Sequence, residues 1–447
     1  MKTLAYCLVA CLALPALGQT VDPFSEAYAR YLMGTLAADS LEGRDSRRPS
    51  IEKATRFLEA EMKAIGLRPL PGHTGYRHPA YLLQRTVTGA KAQVGPQQLG
   101  GGRVAFARTR QQARVEGVVG STGVALRSVS ATTWAAFVAE VERGALTAPI
   151  TLVKTAVPDR IEGLCTTTQR IRRYQSYTPT LGPQVVVFVD AYPPTGTTVV
   201  VEAEVADAPL HLTNLVGYLP GSSRPEEYIY LSGHYDHVGI GRPNAEGDSI
   251  YNGANDDASG TTATLMLARH YASLPQAPAR SLVFACWSGE ELGLLGSTYF
   301  AERTDPAPIV AMLSLEMLGM PWKYGPGSLY MSGFGYSDLG RLFQAHAPAD
   351  SSFRLYPDPY VGQNFFARSD NYGFARQGIP AHMLISADFD DPALEYHRPN
   401  DELERMNLPH FVAIVRGIHA ALAPLVAGQI TPRRLSDAVV QELRGLR

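Results

Sequence analysis

The stretch Leu282–Ser297, LVFACWSGEELGLLGS, decides the fold class. Its first six residues are apolar enough for a buried strand, yet two adjacent carboxylates, Glu290 and Glu291, follow shortly after. Buried carboxylates cost free energy unless they are paired or bind a metal ion. Either these glutamates lie at the surface in the first turn of a helix, or a site at the end of this strand requires them.

Further segments on both sides of this stretch alternate between strand and helix patterns. The predicted strands are YIYLSG, SLVFACW, IVAMLSLEM and IPAHMLI, and the predicted helices are ASGTTATLMLARHYASL and EELGLLGSTYFAER. Short apolar strands separated by helices indicate an α/β fold, with a mixed central β-sheet flanked by helices on both faces. In such sheets, binding sites form in the loops at the carboxyl ends of the strands.

Polar residues that can bind a metal ion follow each of these strands. They are His234 and Asp236 in GHYDH, Asp256 and Asp257 in NGANDDASG, Glu290 and Glu291, Glu316, and His397 in EYHRPNDE. Each one alone has an ordinary structural explanation, such as a helix cap or a hydrogen-bonded histidine. Their joint position at one sheet edge favours a metal site, and imidazoles with carboxylates suit zinc, manganese or cobalt.

These motifs carry a resemblance to a known family. SGHYDHVG, NGANDDASGTTATLMLAR, FACWSGEELGLLGS, LSLEMLG and EYHRPNDE occur in the order found in the di-zinc aminopeptidases of peptidase family M28, which include secreted bacterial leucyl aminopeptidase and glutamate carboxypeptidase. The resemblance covers about 213–425. It implies the zinc-aminopeptidase (phosphorylase/hydrolase-like) fold, and it places a protease-associated-like domain in the region before these motifs.

The resemblance also implies roles for individual residues and two divalent metal ions, with zinc preferred. Asp256 is expected to bridge the two ions. One ion is then bound by His234 and Glu316, and the other by Glu291 and His397. Glu290 is expected to act as general base, and Asp236 to orient His234. The Asp256–Asp257 peptide bond is expected to be cis.

Two positions depart from the commonest family pattern, and several neighbours have weaker predictions. Glu316 stands where Asp is usual, and Asn371 where His is frequent. His237, beside the ligand motif, is predicted to be a structural neighbour rather than a ligand. A substrate pocket is predicted at the aromatic residues Phe365, Phe366 and Tyr372, with plain core packing as an equal alternative.

The chain divides into five predicted segments. A signal peptide is predicted at 1–18, from Lys2 and the apolar run after it. The N-terminal part of the catalytic domain at 19–87 includes a helix between Ser50 and Gly66. A mostly β insert at 88–207 is followed by the catalytic domain at 208–427 and a helical tail at 428–447. No segment after the signal is expected to be long and apolar enough to cross a membrane.

These features predict a secreted or periplasmic metallo-aminopeptidase; lipoprotein anchoring, suggested by Cys11, is the alternative for its location. Its substrates are expected to be peptides with a free N-terminus, hydrolysed by water that two metal ions activate. The net charge of −2 gives no reason to expect nucleic acid or stable membrane insertion. Alternatives are a carboxypeptidase using Arg368 or Arg376, a glutaminyl-cyclase-like enzyme, and a non-catalytic receptor-like ectodomain on the same fold. Oligomeric state stays open.

Overall fold

The computed structural model describes residues 22–108, 113–142, 146–168, 170–174, 184–348 and 353–445. The signal peptide predicted at 1–18 lies outside these residues and stays a prediction.

Helices and strands alternate through the second half of the chain, and strands dominate the first half. The helices are α1 Glu26–Leu36, α2 Ile51–Ile65, α3 Trp134–Glu142, α4 Ile161–Thr168, α5 Gly260–Ser273, α6 Leu295–Ala301, α7 Leu339–His346, α8 Asn371–Ala375, α9 Leu408–Val426 and α10 Asp437–Gly445. The strands are β1 Arg77–Val94, β2 Gln97–Gly100, β3 Val104–Arg108, β4 Ala113–Val118, β5 Val124–Val129, β6 Ile150–Thr155, β7 Arg170–Tyr174, β8 Gln184–Phe188, β9 Thr198–Leu219, β10 Arg224–His234, β11 Gly239–Ile240, β12 Ile250–Tyr251, β13 Arg280–Trp287, β14 Ile309–Glu316, β15 Ser328–Met331, β16 Arg354–Pro357 and β17 Ala381–Ile385.

A large mixed sheet forms the centre of the molecule. Its strands lie in the order β16-β15-β17-β14-β10-β13-β9-β1-β2, and β4 and β7 pair at its side. The four strands β17, β14, β10 and β13 are parallel to one another, whereas β9 pairs antiparallel with β13. The carboxyl ends of the four parallel strands therefore lie along one edge of the sheet, which is where the site is built.

Both faces of this sheet are buried. Along β13, Leu282, Phe284 and Cys286 pack into one hydrophobic cluster with α1, α2, α5 and α9. The alternate residues of β13 face the opposite side, where a second cluster includes residues of α8 and α10. Because successive side chains of a strand point to opposite faces, a strand that is apolar throughout requires cover on both. The predicted fold class is confirmed.

The region predicted as an insert grows out of two long strands of the sheet. β1 and β9 pair from Arg77↔Leu215 to Val94↔Val199, so they run from the catalytic sheet into this region. Beyond them, β3, β8, β6 and β5 form a separate four-stranded sheet, with α3 and α4 packed against it. Strand β1 crosses residue 88, where its pairing with β9 shifts register between Val87 and Gly89, and β9 crosses residue 207. The domain boundaries at 88 and 207 stay a prediction.

Helix α9 corrects one expectation from the sequence. Among the described residues it is long and apolar enough to cross a membrane by length and composition alone, and 61% of its most apolar stretch is buried within the protein. The expectation that no segment after the signal passes this test is therefore wrong. The helix is apolar on most of its surface because it packs against α5, α7 and the sheet.

The helix predicted to begin at Glu290 begins five residues later. Residues 290–293 form turns, and α6 starts at Leu295. Positive φ angles at Gly289, Gly293 and Leu294, of 78°, 104° and 60°, break the helical path. The two glutamates therefore lie in a loop at the strand end. The predicted C-terminal helix is present as α10, and Val440 and Leu443 are buried against the body of the protein.

Candidate metal centre

Neighbouring parallel strands bring the predicted ligands to one place. β10 ends at His234 and β14 ends at Glu316, while Glu290 and Glu291 follow β13 by three and four residues. Since β13, β10 and β14 are adjacent, their carboxyl ends meet. The loop before α5 places Asp256 beside His234. The loop that contains His397, later in the chain, places that histidine beside Asp256.

A first group of possible metal ligands consists of His234, Asp256 and Glu316. The Nε2 atom of His234 lies 3.3 Å from Oδ1 of Asp256 and 3.0 Å from Oε1 of Glu316. All three residues are buried, and their ligand atoms lie within 4.8 Å of one another. The hydroxyl of Ser369 donates to the other oxygen of Glu316 at 2.9 Å, which fixes the direction of this carboxylate.

A second group consists of Asp256, Glu291, His397 and, in addition, His237. The Nε2 atom of His397 lies 3.2 Å from Oδ2 of Asp256 and 3.1 Å from Oε2 of Glu291. His237 is the member that sequence reasoning assigned a merely structural place; its Nδ1 lies 2.7 Å from Oε1 of Glu291. The signal that could have found it is its position in HYDH, three residues after a predicted ligand.

Asp256 belongs to both groups, one oxygen to each. Its loop is held by Asp401, whose carboxylate accepts the backbone N–H groups of Asn255 and Asp256 at 2.8 and 3.0 Å. The neighbouring Asp257 accepts the N–H groups of His234, Gly260 and Met317, and so ties the loop to two strand ends. The Asp256–Asp257 peptide bond is cis, which confirms that expectation. Sequence reasoning missed Asp401, although it lies only four residues after His397.

Glu290 lies beside the two groups without belonging to either. Its Oε2 is 3.9 Å from Nε2 of His234, and its side chain lines a small cavity together with Asp256, Glu316 and His397. Burial raises the pKa of Glu290 well above its ordinary range, and the charges of Glu291 and Glu316 raise it further, although His234 opposes them. A carboxyl with a raised pKa in this position is suited to accept a proton and give it back.

Asp236 makes a different contact from the one predicted. Its backbone carbonyl, not its carboxylate, lies 3.0 Å from Nδ1 of His234 and accepts the ring N–H. The carboxylate is 3.9 Å from that nitrogen and instead accepts the backbone N–H of Glu290 at 3.2 Å. Asp236 is thus the residue that contacts His234, as expected, but its main-chain carbonyl makes the hydrogen bond in place of the expected carboxylate, because the loop turns the main chain of Asp236 towards the ring. The side chain positions the loop of Glu290.

The electrostatics of the site fit bound divalent cations. Oδ2 of Asp256, which faces the second group, is buried and has no hydrogen-bond partner among the described residues. Burial alone raises the pKa of Asp256, but His237, His234 and His397 hold it well below its ordinary range. Burial also raises the pKa of Glu291, yet hydrogen bonds from two histidines lower it to about 2. Ionised carboxylates converging with imidazoles form a donor set that suits zinc.

Of the predicted aromatic pocket residues, only Phe365 lines the cavity beside Glu290. The cavity walls also include Met383, Ile385, Phe389 and Arg368. Tyr372 and Phe366 lie elsewhere: both pack into the hydrophobic cluster on the α8 face of the sheet, and the Tyr372 hydroxyl donates to the carbonyl of Leu443. The pocket expectation is corrected for these two residues, and the alternative of core packing holds: Tyr372, on α8, and Phe366, in the 3₁₀ turn before α8, both have their rings in this cluster.

Arg44, a buried arginine of the N-terminal segment, donates hydrogen bonds to the loops of the site. The sequence pattern gave it no predicted role. The guanidinium of Arg44 donates to the carbonyls of Leu36, Tyr235, Asn252 and Gly253. Two of these residues precede Asp236 and Asp256 in the site loops. Burial lowers the pKa of Arg44, while Asp401 and other carboxylates of the site oppose that shift. Arg44 therefore supplies a positive charge and a rigid clamp beneath the ligands.

Two kinds of sequence comparison agree with this geometry. Residues 214–422 match the model of Peptidase family M28. Over 113 residues the chain is 38% identical to a probable zinc metalloprotease of Pyrenophora tritici-repentis, covering 25% of this chain and 25% of the relative. It is 28% identical over 257 residues to probable leucine aminopeptidase 2 of Aspergillus fumigatus, covering 51% of this chain and 47% of the relative. The matches thus span a quarter to a half of these curated relatives.

Solved structures share the fold over most of the chain. An aminopeptidase from Aneurinibacillus sp. strain AM-1 aligns with a TM-score of 0.54 and 17% identity, covering 94% of this chain and 96% of that one. BSAP, a zinc aminopeptidase from Bacillus subtilis, aligns with a TM-score of 0.52 and 16% identity, covering 94% and 99%. The residues that match peptidase family M28, 214–422, contain both ligand groups and Glu290.

Proposed function

We propose that this protein is a two-metal aminopeptidase that removes apolar N-terminal residues from peptides. The observation that carries the proposal is Asp256, whose two oxygens face two separate ligand groups while the carboxyl of Glu290 lies beside them. Zinc is the proposed metal, because the donor set of imidazoles and carboxylates suits it and the related proteins bear zinc in their names. Relatives named as aminopeptidases support the choice of substrate end.

The proposed chemistry assigns proton transfer to Glu290. Two zinc ions, when bound, supply Lewis-acid polarisation of the scissile carbonyl and of water. Glu290 takes the proton from the attacking water and then gives it to the leaving amine. Asp236 keeps Glu290 in place through the backbone N–H of that residue.

Charge and shape support the preference for a free amine and an apolar side chain. Three carboxyl groups line the cavity, those of Asp256, Glu290 and Glu316, and they outnumber the guanidinium of Arg368 in the same wall, which favours a substrate that carries a positive ammonium group. The wall formed by Phe365, Met383 and Phe389 is apolar, and it lies next to Glu290. An N-terminal leucine or phenylalanine side chain would bury its apolar surface against this wall.

One specific observation favours a carboxypeptidase as the second candidate. Arg368 lines the same cavity, and its guanidinium packs 4.9 Å from the Phe365 ring centroid while donating to the hydroxyl of Tyr396. A guanidinium there is able to bind a substrate carboxylate in a bidentate way. Arg376, the other arginine considered, does not line this cavity and packs against Tyr372.

Secretion or export to the periplasm is part of the proposal, and it rests on the sequence pattern of residues 1–18. Expression of the full chain in a bacterial host with an export pathway, followed by N-terminal sequencing of the mature protein, tests it. We expect cleavage after Gly18. A chain that keeps residue 1 and stays in the cytoplasm would argue against export.

The activity is tested with aminoacyl-p-nitroanilides, matched N-acetylated substrates and peptides with free or amidated C-termini. We expect cleavage only where the N-terminus is free, and loss of activity after chelation. Glu290→Gln should lower kcat by about 10²–10⁴-fold because general base catalysis is lost, while bound zinc stays unchanged. Glu246→Gln, at an exposed loop carboxylate, is the matched control and should keep full activity.

Two results would contradict the proposal in different ways. Cleavage that requires a free C-terminus, ignores N-acetylation and falls in Arg368→Ala would establish the carboxypeptidase instead. Full activity in Glu290→Gln would remove the proton-transfer role from that residue. Two bound zinc ions without hydrolysis of any peptide would move the assignment to other chemistry, such as glutaminyl cyclisation.

A further inference from the structure

The second ligand group contains one more histidine than the resemblance implies. The side chain of His237 has no solvent exposure, and its Nδ1 lies 2.7 Å from Oε1 of Glu291 and 3.9 Å from Oδ2 of Asp256. Its Nδ1 and the ligand atoms of Asp256, Glu291 and His397 all lie within 4.8 Å of one another. Nothing in the five-ligand scheme uses this imidazole.

Three separate parts of the chain hold the His237 ring in this place. Its backbone N–H donates to the carbonyl of Arg44 at 3.2 Å. Gly253, with φ of 58°, lies against the ring, and a Cβ atom at that position would come within 2.5 Å of it. On the opposite side the ring of His397 lies 5.6 Å away, nearly perpendicular. The ring therefore faces the carboxylates of the second group and has little freedom to turn away.

The polar surroundings of the ring also point to the site. Its Nε2 is buried and has no hydrogen-bond partner among the described residues, so Nδ1 makes the ring's polar contacts. Those contacts are carboxylate oxygens of two predicted ligands. Buried polar groups are normally satisfied. Oδ2 of Asp256 is likewise buried and unpartnered. A cation between Nδ1 of His237 and Oδ2 of Asp256 would give this carboxylate oxygen the partner that it lacks.

The spacing of the atoms suits a shared metal ion. A tetrahedral zinc with bonds of about 2.0–2.2 Å holds its ligand atoms about 3.3 Å apart. His397 lies 3.2 and 3.1 Å from its two carboxylate neighbours. The corresponding distances from His237, 3.9 and 2.7 Å, fall on either side of that spacing.

We propose that His237 is a protein ligand of the second metal ion, which is then held by Asp256, Glu291, His397 and His237. This inference rests on the two-metal site of the proposed function. The first group offers three protein ligands, His234, Asp256 and Glu316, one fewer than the second group. Four protein ligands are typical of tightly held structural zinc, and three are typical of catalytic zinc. The two sites are therefore unequal, and the second fills first.

Cadmium-113 NMR of the intact protein tests the coordination directly. The wild-type chain is labelled with ¹⁵N-histidine and loaded with two equivalents of ¹¹³Cd²⁺. We expect three imidazole nitrogens to show coupling to cadmium, two of them to the same cadmium resonance. In His237→Asn one of these two couplings should be lost while the other two remain. His346→Asn, at an exposed helix end, is the matched control and should keep all three.

Zinc affinity provides a second readout that does not depend on activity. Loss of a residue that only orients a ligand weakens metal binding by about 10–100-fold, so loss of a ligand in His237→Asn should weaken the tighter site by more than about 100-fold. Competition with a calibrated chelator measures this. The affinity of the weaker site should change less than tenfold.

Each outcome bears on the inference alone or on the proposed function alone. Two coupled imidazoles in the wild-type spectrum, one per cadmium, would overturn the inference and make His237 an N–H donor to Glu291. The wild-type spectrum decides this even if His237→Asn fails to fold. Three coupled imidazoles in a protein that cleaves no peptide would leave the inference standing and refute the aminopeptidase activity.

Discussion

At the scale of single residues, the site depends on side-chain length as much as on charge. Glu316 stands where an aspartate is commoner in the family the chain resembles, and its longer side chain makes two contacts at once. One oxygen lies 3.0 Å from Nε2 of His234, and the other accepts the hydroxyl of Ser369. A shorter carboxylate on the same strand end cannot reach both partners without movement of β14, which is buried on both sides.

Glu316→Asp should therefore weaken the first metal site and spare the second. We expect about 10–100-fold lower zinc affinity at the weaker site, since both the ligand distance and its orienting hydroxyl are lost. Chelator competition on wild type, Glu316→Asp and Glu302→Asp measures the change; Glu302 is an exposed glutamate and serves as control. An unchanged affinity would mean that the backbone adjusts to the shorter side chain.

Residue identity predicted the ligands better than it predicted their contacts. The predicted ligands meet because each lies at the end of a strand that the hydrophobic pattern indicates, or in a loop beside such an end. They are His234, Asp256, Glu291, Glu316 and His397. The direction of a side chain within a loop depends on backbone turns that sequence patterns do not specify. For this reason the contact between His234 and the carbonyl of Asp236, and the inward position of His237, required the structure.

At the scale of elements, the N-terminal segment acts as a clamp on the site loops. Residues 39–44 form a short 3₁₀ segment with positive φ at Glu42, Gly43 and Arg44. Gly43 is required there because a Cβ atom would come within 2.6 Å of the carbonyl oxygens of Gly239 and Tyr251. This close approach brings the Arg44 guanidinium to the carbonyl groups of Tyr235, Asn252 and Gly253 in the site loops, and to that of Leu36 at the end of α1.

Arg44→Lys should destabilise the protein although the charge is kept. An ammonium group cannot reproduce the planar fork of the guanidinium. At least two buried carbonyls should lose their partners at about 1–3 kcal/mol each, so the free energy of unfolding should fall by about 2–6 kcal/mol. Urea unfolding of the zinc-loaded protein measures this. Arg48→Lys, at an exposed arginine four residues after Arg44, is the control and should change the free energy of unfolding by less than about 0.5 kcal/mol.

Element boundaries were predicted where local chemistry defines them and missed where it does not. The helix between Ser50 and Gly66 is present as α2, Ile51–Ile65, and Gly66 ends it with φ of 88°. The helix expected at Glu290 was misplaced because an amphipathic run does not reveal the positive φ angles at 289–294. The aromatic pocket was predicted only in part, because the backbone turns between 364 and 371, which residue types do not specify, decide which rings reach the cavity.

At the scale of the whole molecule, several carboxyls of the metal-free site have a higher pKa in the folded protein than in the unfolded chain. Burial raises the pKa of Asp236 to about 6, of Asp370 to about 7 and of Asp401 to about 6, from an ordinary value of 3.8. A carboxyl with a raised folded-state pKa stabilises the fold most below its unfolded pKa, and this contribution is lost as the pH rises through the folded-state pKa. Burial lowers the pKa of His397, but the adjacent carboxylates of Asp256 and Glu291 raise it to about 10, so its contribution is lost in the same direction.

The melting temperatures of zinc-loaded and chelator-treated protein should therefore diverge as the pH rises from 5 to 8. As the pH rises, these carboxyls ionise in the metal-free protein without a nearby positive charge, whereas bound zinc ions supply that charge. Zinc also binds its ligands more strongly once they have lost their protons. Buried histidines away from the site, such as His382 with a pKa lowered by burial to about 4, affect both forms equally and cancel in the difference. We expect the gap in Tm to widen by at least about 3 °C, measured by calorimetry at constant ionic strength. A difference in Tm that stays constant or narrows as the pH rises would mean that zinc does not replace protons at this site.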